Sequence, residues 1–368
     1  MRIDVNSVDR FKAVLQELDK MHAAVYIFGA GNYGRILGDF LNQKEIEWKG
    51  YIDSDASVIH ETVCGRPVYG VHEVDGKDAY VLVSVSKRKH IETYGQIIQT
   101  IKEIGIDDSH ILDFDDNFQL MDDIVLMHKN AGEFLKKLKG IKGKYQGEKC
   151  FIIGNGPSLR LKDLERLSGY ITMGCNEILD LYSRTDWRPT CFFIIDAQVV
   201  LDYIHDVDDL EYILSNCDML FSAVNNNIFD QYHNRRGDIY FLNTRRRNDA
   251  SRFSDQADKV VYDSGTTLYS MFQVAVYMGI KEIYLLGVDN TFRKEIYEDG
   301  TLAINEEIQD HMELMNCPSE GIYYKDLIEA VFRKAKEYAD SHGIKVFNAT
   351  RGGCLEVFER VDFDSLFQ

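Results

Sequence analysis

The stretch Cys150-Phe151-Ile152-Ile153-Gly154-Asn155-Gly156-Pro157-Ser158-Leu159 decides how this chain is read. An apolar run that ends in Gly-x-Gly and continues with Pro and Ser describes a buried strand turning tightly into a helix. Glycines at such a turn let the backbone approach a ligand closely. Pro157 suits a first helical position, where its missing N–H costs nothing. The exposed N–H groups and positive end of such a helix attract phosphate. No Lys follows at the spacing of the phosphate loop in ordinary ATPases. The expectation is a nucleotide or other diphosphate ligand at Gly154, Asn155, Gly156 and Ser158.

The pattern recurs upstream. After a helical spacing from Ser7 to Met21, Ala23 to Phe28 reads as a short strand that turns at Gly29-Ala30-Gly31-Asn32-Tyr33-Gly34. A helical pattern runs through Leu41, and the next strand, Trp48 to Ile52, ends at Asp53. Glycines at the turn and an acid about 20 residues later are the layout of a dinucleotide-binding βαβ unit. Gly29, Gly31, Gly34 and Asp53 are its candidate ligand contacts, against the alternative of a Rossmann unit that packs well and binds nothing. Strands near Tyr80–Val85 and His110–Leu112, with a helix between them, extend a first domain over residues 1–116. Residues 117–148 read as a bridge, helical over Ile124–Leu138 and an exposed Lys/Gly-rich linker over Lys136–Lys149. A second domain spans 149–368. The fold class expected is α/β: two Rossmann-like parallel-sheet domains joined by a helical linker.

In the second domain, strand-like runs repeatedly stop at polar residues. Tyr170–Met173 precedes Asn176, Cys191–Ile195 precedes Asp196, Met219–Ala223 precedes Asn225-Asn226-Asn227, and Ile239–Leu242 precedes Asn243. In open α/β sheets this edge holds ligands. Ser264, Gly265 and Thr266 open an almost wholly apolar helix, Leu268–Met278, which must be buried. They read as a second anion-binding corner, or as plain helix capping. Lys281–Leu286 is a strand that leads to Asp289. Tyr324–Ala339 is an amphipathic helix, and Ile344–Phe347 a last strand before the loop Asn348–Gly353. Arg293–Cys317 shows little periodicity and reads as a lid.

Composition narrows the class. The 368 residues carry 42 basic and 60 acidic side chains, a net charge of −18. That balance opposes extended contact with nucleic acid or with an anionic membrane surface. No stretch reaches membrane-spanning length, and Met1-Arg2-Ile3-Asp4 opens no signal core. Seven scattered Cys without a C-x-x-C pair fit a reducing cytoplasm. No paired-His spacing predicts a metal site. Arg235-Arg236 and Arg245-Arg246-Arg247 are the main local positive charge, read as phosphate partners or as a solvated loop.

Two resemblances follow from these motifs. Gly50-Tyr51-Ile52-Asp53 and Gly65-Arg66-Pro67-Val68 make the first third similar to nucleotide-sugar-binding units that accompany bacterial polysaccharide enzymes. The ordered set "GNGPSL" at 154–159, "CNE" at 175–177, "DSG" at 263–265 and "MGIKEIYLLGVD" at 278–289 resembles a superfamily over about residues 150–350. It comprises bacterial CMP-sialic-acid-dependent sialyltransferases, motility-associated-factor glycosyltransferases and 6-hydroxymethylpterin diphosphokinase-like proteins. The resemblance implies that Asn155, Asn176 and Ser264-Gly265 hold a nucleotide. Asp263 replaces the Thr of the sialyltransferase "TSG" turn. The His that serves those enzymes as base shortly before the last long helix has no counterpart in Gly321-Ile322-Tyr323-Tyr324-Lys325. His311 is the nearest replacement, with Tyr323 and Asp289 as further catalytic candidates. The function implied is a glycosyltransferase of surface-glycan or flagellin-glycan assembly. Its donor would be a nucleotide-activated sugar, foremost a CMP-linked nonulosonic acid, and its acceptor a glycan or glycoprotein; no cofactor beyond the donor is assigned. The alternatives are diphosphate transfer from ATP, with Mg²⁺ at Asp196, Asp263 or Asp289, and a non-catalytic nucleotide-sugar-binding protein. Oligomeric state is left open.

Overall fold

A computed structural model describes residues 3–4, 8–85, 91–113, 132–224, 226, 229, 232, 234–246, 250–297, 299–315 and 322–368. The chain divides into two compact units, Met1–Ala131 and Gly132–Gln368, each built on a mostly parallel sheet. Both are α/β and Rossmann-like. The expected helical residues 124–131, together with Asn225, Asn227, Arg247 and Gly321, lie outside the described residues.

Unit 1 carries β1 (Ile3–Asp4), β2 (Ala24–Phe28), β3 (Gly50–Asp53), β4 (Thr62–Val63), β5 (Arg66–Gly70), β6 (Ala79–Val83) and β7 (Ile111–Asp113). Their order is β1-β7-β6-β2-β3-β5-β4, parallel except for β4 on β5. The chain runs from β2 outward to β3 and β5, then returns to the other side of β2 as β6. The glycine turn after β2 therefore stands at the point where strand order reverses, the usual place for a ligand in such sheets. Gly34 must be glycine, since a Cβ there would lie 1.8 Å from the Gly29 carbonyl oxygen.

Unit 2 carries β8 (Lys149–Ile153), β9 (Ile171–Cys175), β10 (Cys191–Ile194), β11 (Met219–Ala223), β12 (Ile239–Leu242), β15 (Glu282–Leu286), β19 (Lys345–Asn348) and β20 (Glu359–Arg360) in one sheet. The order β12-β11-β10-β9-β8-β15-β19-β20 is parallel throughout. Strands buried on both faces need continuous apolar runs rather than alternation, and β8, β10 and β11 supply them. Strand order reverses between β8 and β15. The helix Thr267–Tyr277 is buried along nearly its whole length. Its one large polar side chain, Gln273, is accommodated because it accepts from the Ser254 and Tyr262 amides and donates to the Tyr262 and Tyr269 carbonyls.

Four local expectations change. No helix opens at Pro157: Pro157 and Ser158 form a turn, and a short helix starts only at Leu161. The stretch read as an exposed linker is held by unit 2. Its amides at Gly143, Tyr145 and Gly147 donate to the carbonyls of Tyr277, Met278 and Gly279. Residues 293–317 hold β16 (Lys294–Ile296) and β17 (Leu302–Ile304), which with β18 (Tyr323–Tyr324) form a small sheet. A further short pair, β13 (Thr244–Arg246) and β14 (Val261–Asp263), was not expected.

Candidate functional site

At the carboxyl ends of β8, β9, β10 and β15 lies a cavity of about 440 Å³, within the usual range of about 300–1,000 Å³ for small-molecule sites. Gly154 and Gly156 reach it from β8, Asn176 and Glu177 from β9, Asp196 from β10, and Asp289 and Asn290 from β15. Gly265, Thr266 and Thr267 bring the start of the buried helix to it, and His311 and Tyr323 come from the segments around the small sheet.

The glycines are needed because two strand-end loops are stitched together. Gly154 and Gly156 donate their amides to the carbonyls of Leu286 and Gly287. A Cβ at Gly154 would stand 2.5 Å from the Gly287 oxygen, and one at Gly156 would stand 2.0 Å from the Asp289 carboxylate. Ser158 is not among the residues lining the cavity. Its hydroxyl donates to Asp289 at 2.7 Å, so it positions that carboxylate. With the helix at Pro157 absent, the attraction for an anion moves to the N-terminus of Thr267–Tyr277, whose capping residue is Thr266. Ser264 is buried and is not among the lining residues.

Asp289 is buried. Burial pushes its carboxyl above the ordinary carboxylate value, against the opposing hydrogen bonds from Ser158 and the field of Arg360. Gly353 packs so closely on it that a Cβ would fall 2.5 Å from the Asp289 Cα. Asp196 caps the helix Ala197–Tyr203 by accepting from the Gln198 amide at 2.9 Å, so one of its oxygens already has a local role.

Asn155 is the hub. Its side-chain NH₂ donates to the Cys175 carbonyl at 3.1 Å and to the Glu177 carboxylate at 2.9 Å, and its backbone carbonyl accepts from the Met312 amide at 2.8 Å. Both side-chain partners are acceptors, so the amide nitrogen must face them. That leaves its oxygen buried without a partner among the described residues. The Asn176 oxygen and both polar atoms of the Asn290 side chain are in the same condition. Asn176 and Asn290 also hold positive φ, 53° and 55°, a region that Asn visits more readily than most residues. A buried polar atom left unpaired costs about 1–3 kcal/mol. All three side chains stand on one cavity, where a ligand or ordered water would satisfy them.

Glu177 escaped assignment from the sequence, although it is the third residue of "CNE". It is buried, and its carboxylate lies 3.8 Å from His311 Nε2. Tyr323 stacks on Phe292 with ring centroids 4.1 Å apart. Asp310, also on the lining, accepts from the Arg293 amide.

Other candidates turn elsewhere. Asn226 is buried and donates to Ile195 O and Ser222 Oγ, tying β10 to β11. Asn243 donates to Lys259 O. Arg351 grips Asp163 through two bonds and pairs with Asp364 at 2.9 Å, and Thr350 accepts from the Val288 amide. Arg235 is paired with Glu211 and Asp238. Among the described residues no Lys or Arg lines the cavity, whereas Glu177, Asp196, Asp263, Asp289 and Asp310 do. Even so, no three His, Cys, Asp or Glu groups among the described residues are arranged to hold a metal ion.

In unit 1, Gly29 has φ 99° and nothing stands within 4 Å of a Cβ at Gly31, so the turn is open there. Asp53 is spent on the backbone. One oxygen accepts from the Ala30 amide at 2.7 Å, and the other from the amides of Ser54 and Asp55. It orders the glycine turn that was expected to hold a ligand with it.

Residues 126–295 match the family described as 6-hydroxymethylpterin diphosphokinase MptE-like. The resemblance carried by the motifs at 154–159, 175–177, 263–265 and 278–289 thus coincides with a family match over most of their span. No curated protein matches the chain. Among solved structures, a MAf glycosyltransferase from Magnetospirillum magneticum AMB-1 is 12% identical with a TM-score of 0.35. The alignment covers 99% of this chain and 64% of that one, so this chain spans less than two thirds of that enzyme's length. The sialyltransferase CstII from Campylobacter jejuni, solved with the substrate analogue CMP-3FNeuAc, is 18% identical with a TM-score of 0.36 over 58% of this chain and 86% of that one. The Rex-family repressor RSP is 18% identical with a TM-score of 0.23, covering 36% of this chain and 72% of that one. No helix among the described residues is long and apolar enough to cross a membrane.

Proposed function

We propose that unit 2 is a glycosyltransferase that takes its sugar from a nucleotide donor, foremost a CMP-linked nonulosonic acid, and passes it to a glycan or glycoprotein hydroxyl. The observation that carries this reading is an imidazole, His311, lining the same cavity as the glycine turn and the N-terminus of the helix Thr267–Tyr277. In the reaction the acceptor oxygen bonds to the anomeric carbon as that carbon's bond to phosphate breaks. The electron pair leaves with the nucleoside monophosphate, and His311 takes the acceptor's proton. The helix N-terminus and the Tyr323 hydroxyl stabilise the departing phosphate. The unpaired amide oxygens of Asn155 and Asn176 receive N–H or O–H donors of the nucleotide.

His311→Ala is expected to lower release of CMP from CMP-N-acetylneuraminate by about 100-fold or more, with CMP affinity little changed. Full activity in the variant would remove His311 as base and direct attention to Asp196, Asp263 and Asp289.

A second reading, diphosphate transfer from ATP, is favoured by the MptE-like match and by the acidic lining. Among the described residues the carboxylates are not gathered into an ion site of their own. Stabilisation by ATP with Mg²⁺ but not by CMP would select it.

A further inference from the structure

The pairing of Glu177 with His311 has no counterpart among the roles assigned from the motifs, and it is built with care. Glu177 starts from the carboxyl end of β9, is buried, and is held by the Asn155 amide at 2.9 Å. The same Asn155 holds the chain beside His311 through the Met312 amide. One residue of the glycine turn therefore fixes both partners, and the carboxylate faces His311 Nε2 at 3.8 Å while both side chains are largely shielded from water. At that distance a buried carboxylate orients the ring.

We propose that Glu177 is a positioning residue. It orients His311 and stabilises the imidazolium formed when His311 accepts a proton, and Asn155 ties this pair to nucleotide binding. The assignment rests on the reading of His311 as base, and its test does not depend on turnover. Once protonated by the acceptor hydroxyl, His311 carries the charge that Glu177 balances, and the proton returns to solvent after product leaves. Besides Glu177 and His311, the ionisable groups on the described cavity wall are Cys175, Asp196, Asp263, Asp289, Asp310 and Tyr323; burial pushes the Cys175 thiol up, and Asp310 precedes His311 in the chain.

The test is an NMR titration of the His311 ring in the full-length chain, comparing the parent with Glu177→Gln. Glutamine keeps an acceptor for Asn155 and nearly the same shape while removing the charge. The expected result is a midpoint for the His311 resonances at lower pH in Glu177→Gln than in the parent. An unmoved midpoint, or one moved to higher pH, overturns the proposal whatever His311 does in catalysis. If Glu177→Gln does not fold, Glu177→Asp serves. Its carboxylate is withdrawn by one methylene, so a smaller shift in the same direction supports the pairing and none refutes it. Loss of activity in His311→Ala with an unmoved midpoint in Glu177→Gln would leave the base standing and remove Glu177. A moved midpoint with a fully active His311→Ala would do the reverse.

Discussion

Asp289 shows how function and stability separate at a single residue. Its folded carboxyl is held above the ordinary value by burial. Between the unfolded value, about 3.9 for Asp, and the raised folded value, the folded chain binds the extra proton. Stability therefore falls as pH rises through that window, and the full cost is present above it. Asp289→Asn keeps an oxygen to accept from Ser158 and carries no charge. Its thermal midpoint should exceed the parent's at pH 7, with the difference vanishing below about pH 3.9. A lower midpoint at pH 7, or a difference that ignores pH, would contradict this account of the site. At this scale the sequence was legible where a residue's chemistry is unusual for its place. His311, Tyr323, Asp289, Asn155 and Asn176 all stand on the one cavity. Ser158 misled because a hydroxyl has no visible direction until its partner, Asp289, is brought beside it from far along the chain.

Among the elements, strands were the most readable. Met219–Ala223 and Ile239–Leu242 coincide with β11 and β12, because continuous apolar runs between turn residues have few other outcomes. The loop after β8 was less so. Gly-Pro-Ser opens a helix by local preference, but its backbone is committed to β15 through Gly287, and its serine to Asp289. Tertiary bonds overrode propensity there. The small sheet of β16, β17 and β18 stayed hidden because its strands are short and mostly half-exposed, so no clean alternation marks them. The stitched loops yield a contrast between two glycines. Gly156→Ala must displace the Asp289 carboxylate and should cost about 1–3 kcal/mol. Gly95→Ala meets nothing within 4 Å, lies inside the helix Ile91–Glu103, and should stabilise by roughly 0.5–1 kcal/mol. Denaturant unfolding of the two variants checks both signs, and an equal effect would refute the stitched-loop description.

For the molecule as a whole, the net charge of −18 and the carboxylate-rich cavity pose one problem for an anionic ligand. The chain meets it without cations on the described wall: one helix N-terminus, the Asn290 side-chain NH₂ and one imidazole belong to the cavity. Two reversals of strand order, one in each unit, place glycine turns where ligands bind, and among the described residues the turn of unit 2 is the one with unsatisfied Asn side chains around it. The most direct measurement is thermal stability of the full chain against CMP, CMP-N-acetylneuraminate, UDP, NAD and ATP, each with and without Mg²⁺. The account predicts that CMP and the CMP-sugar raise the midpoint without needing Mg²⁺, by mass action on the folded state. It also predicts that Asn155→Ala or Asn176→Ala weakens the rise. No stabilisation by either cytidine ligand, or a rise that both variants retain in full, would contradict it.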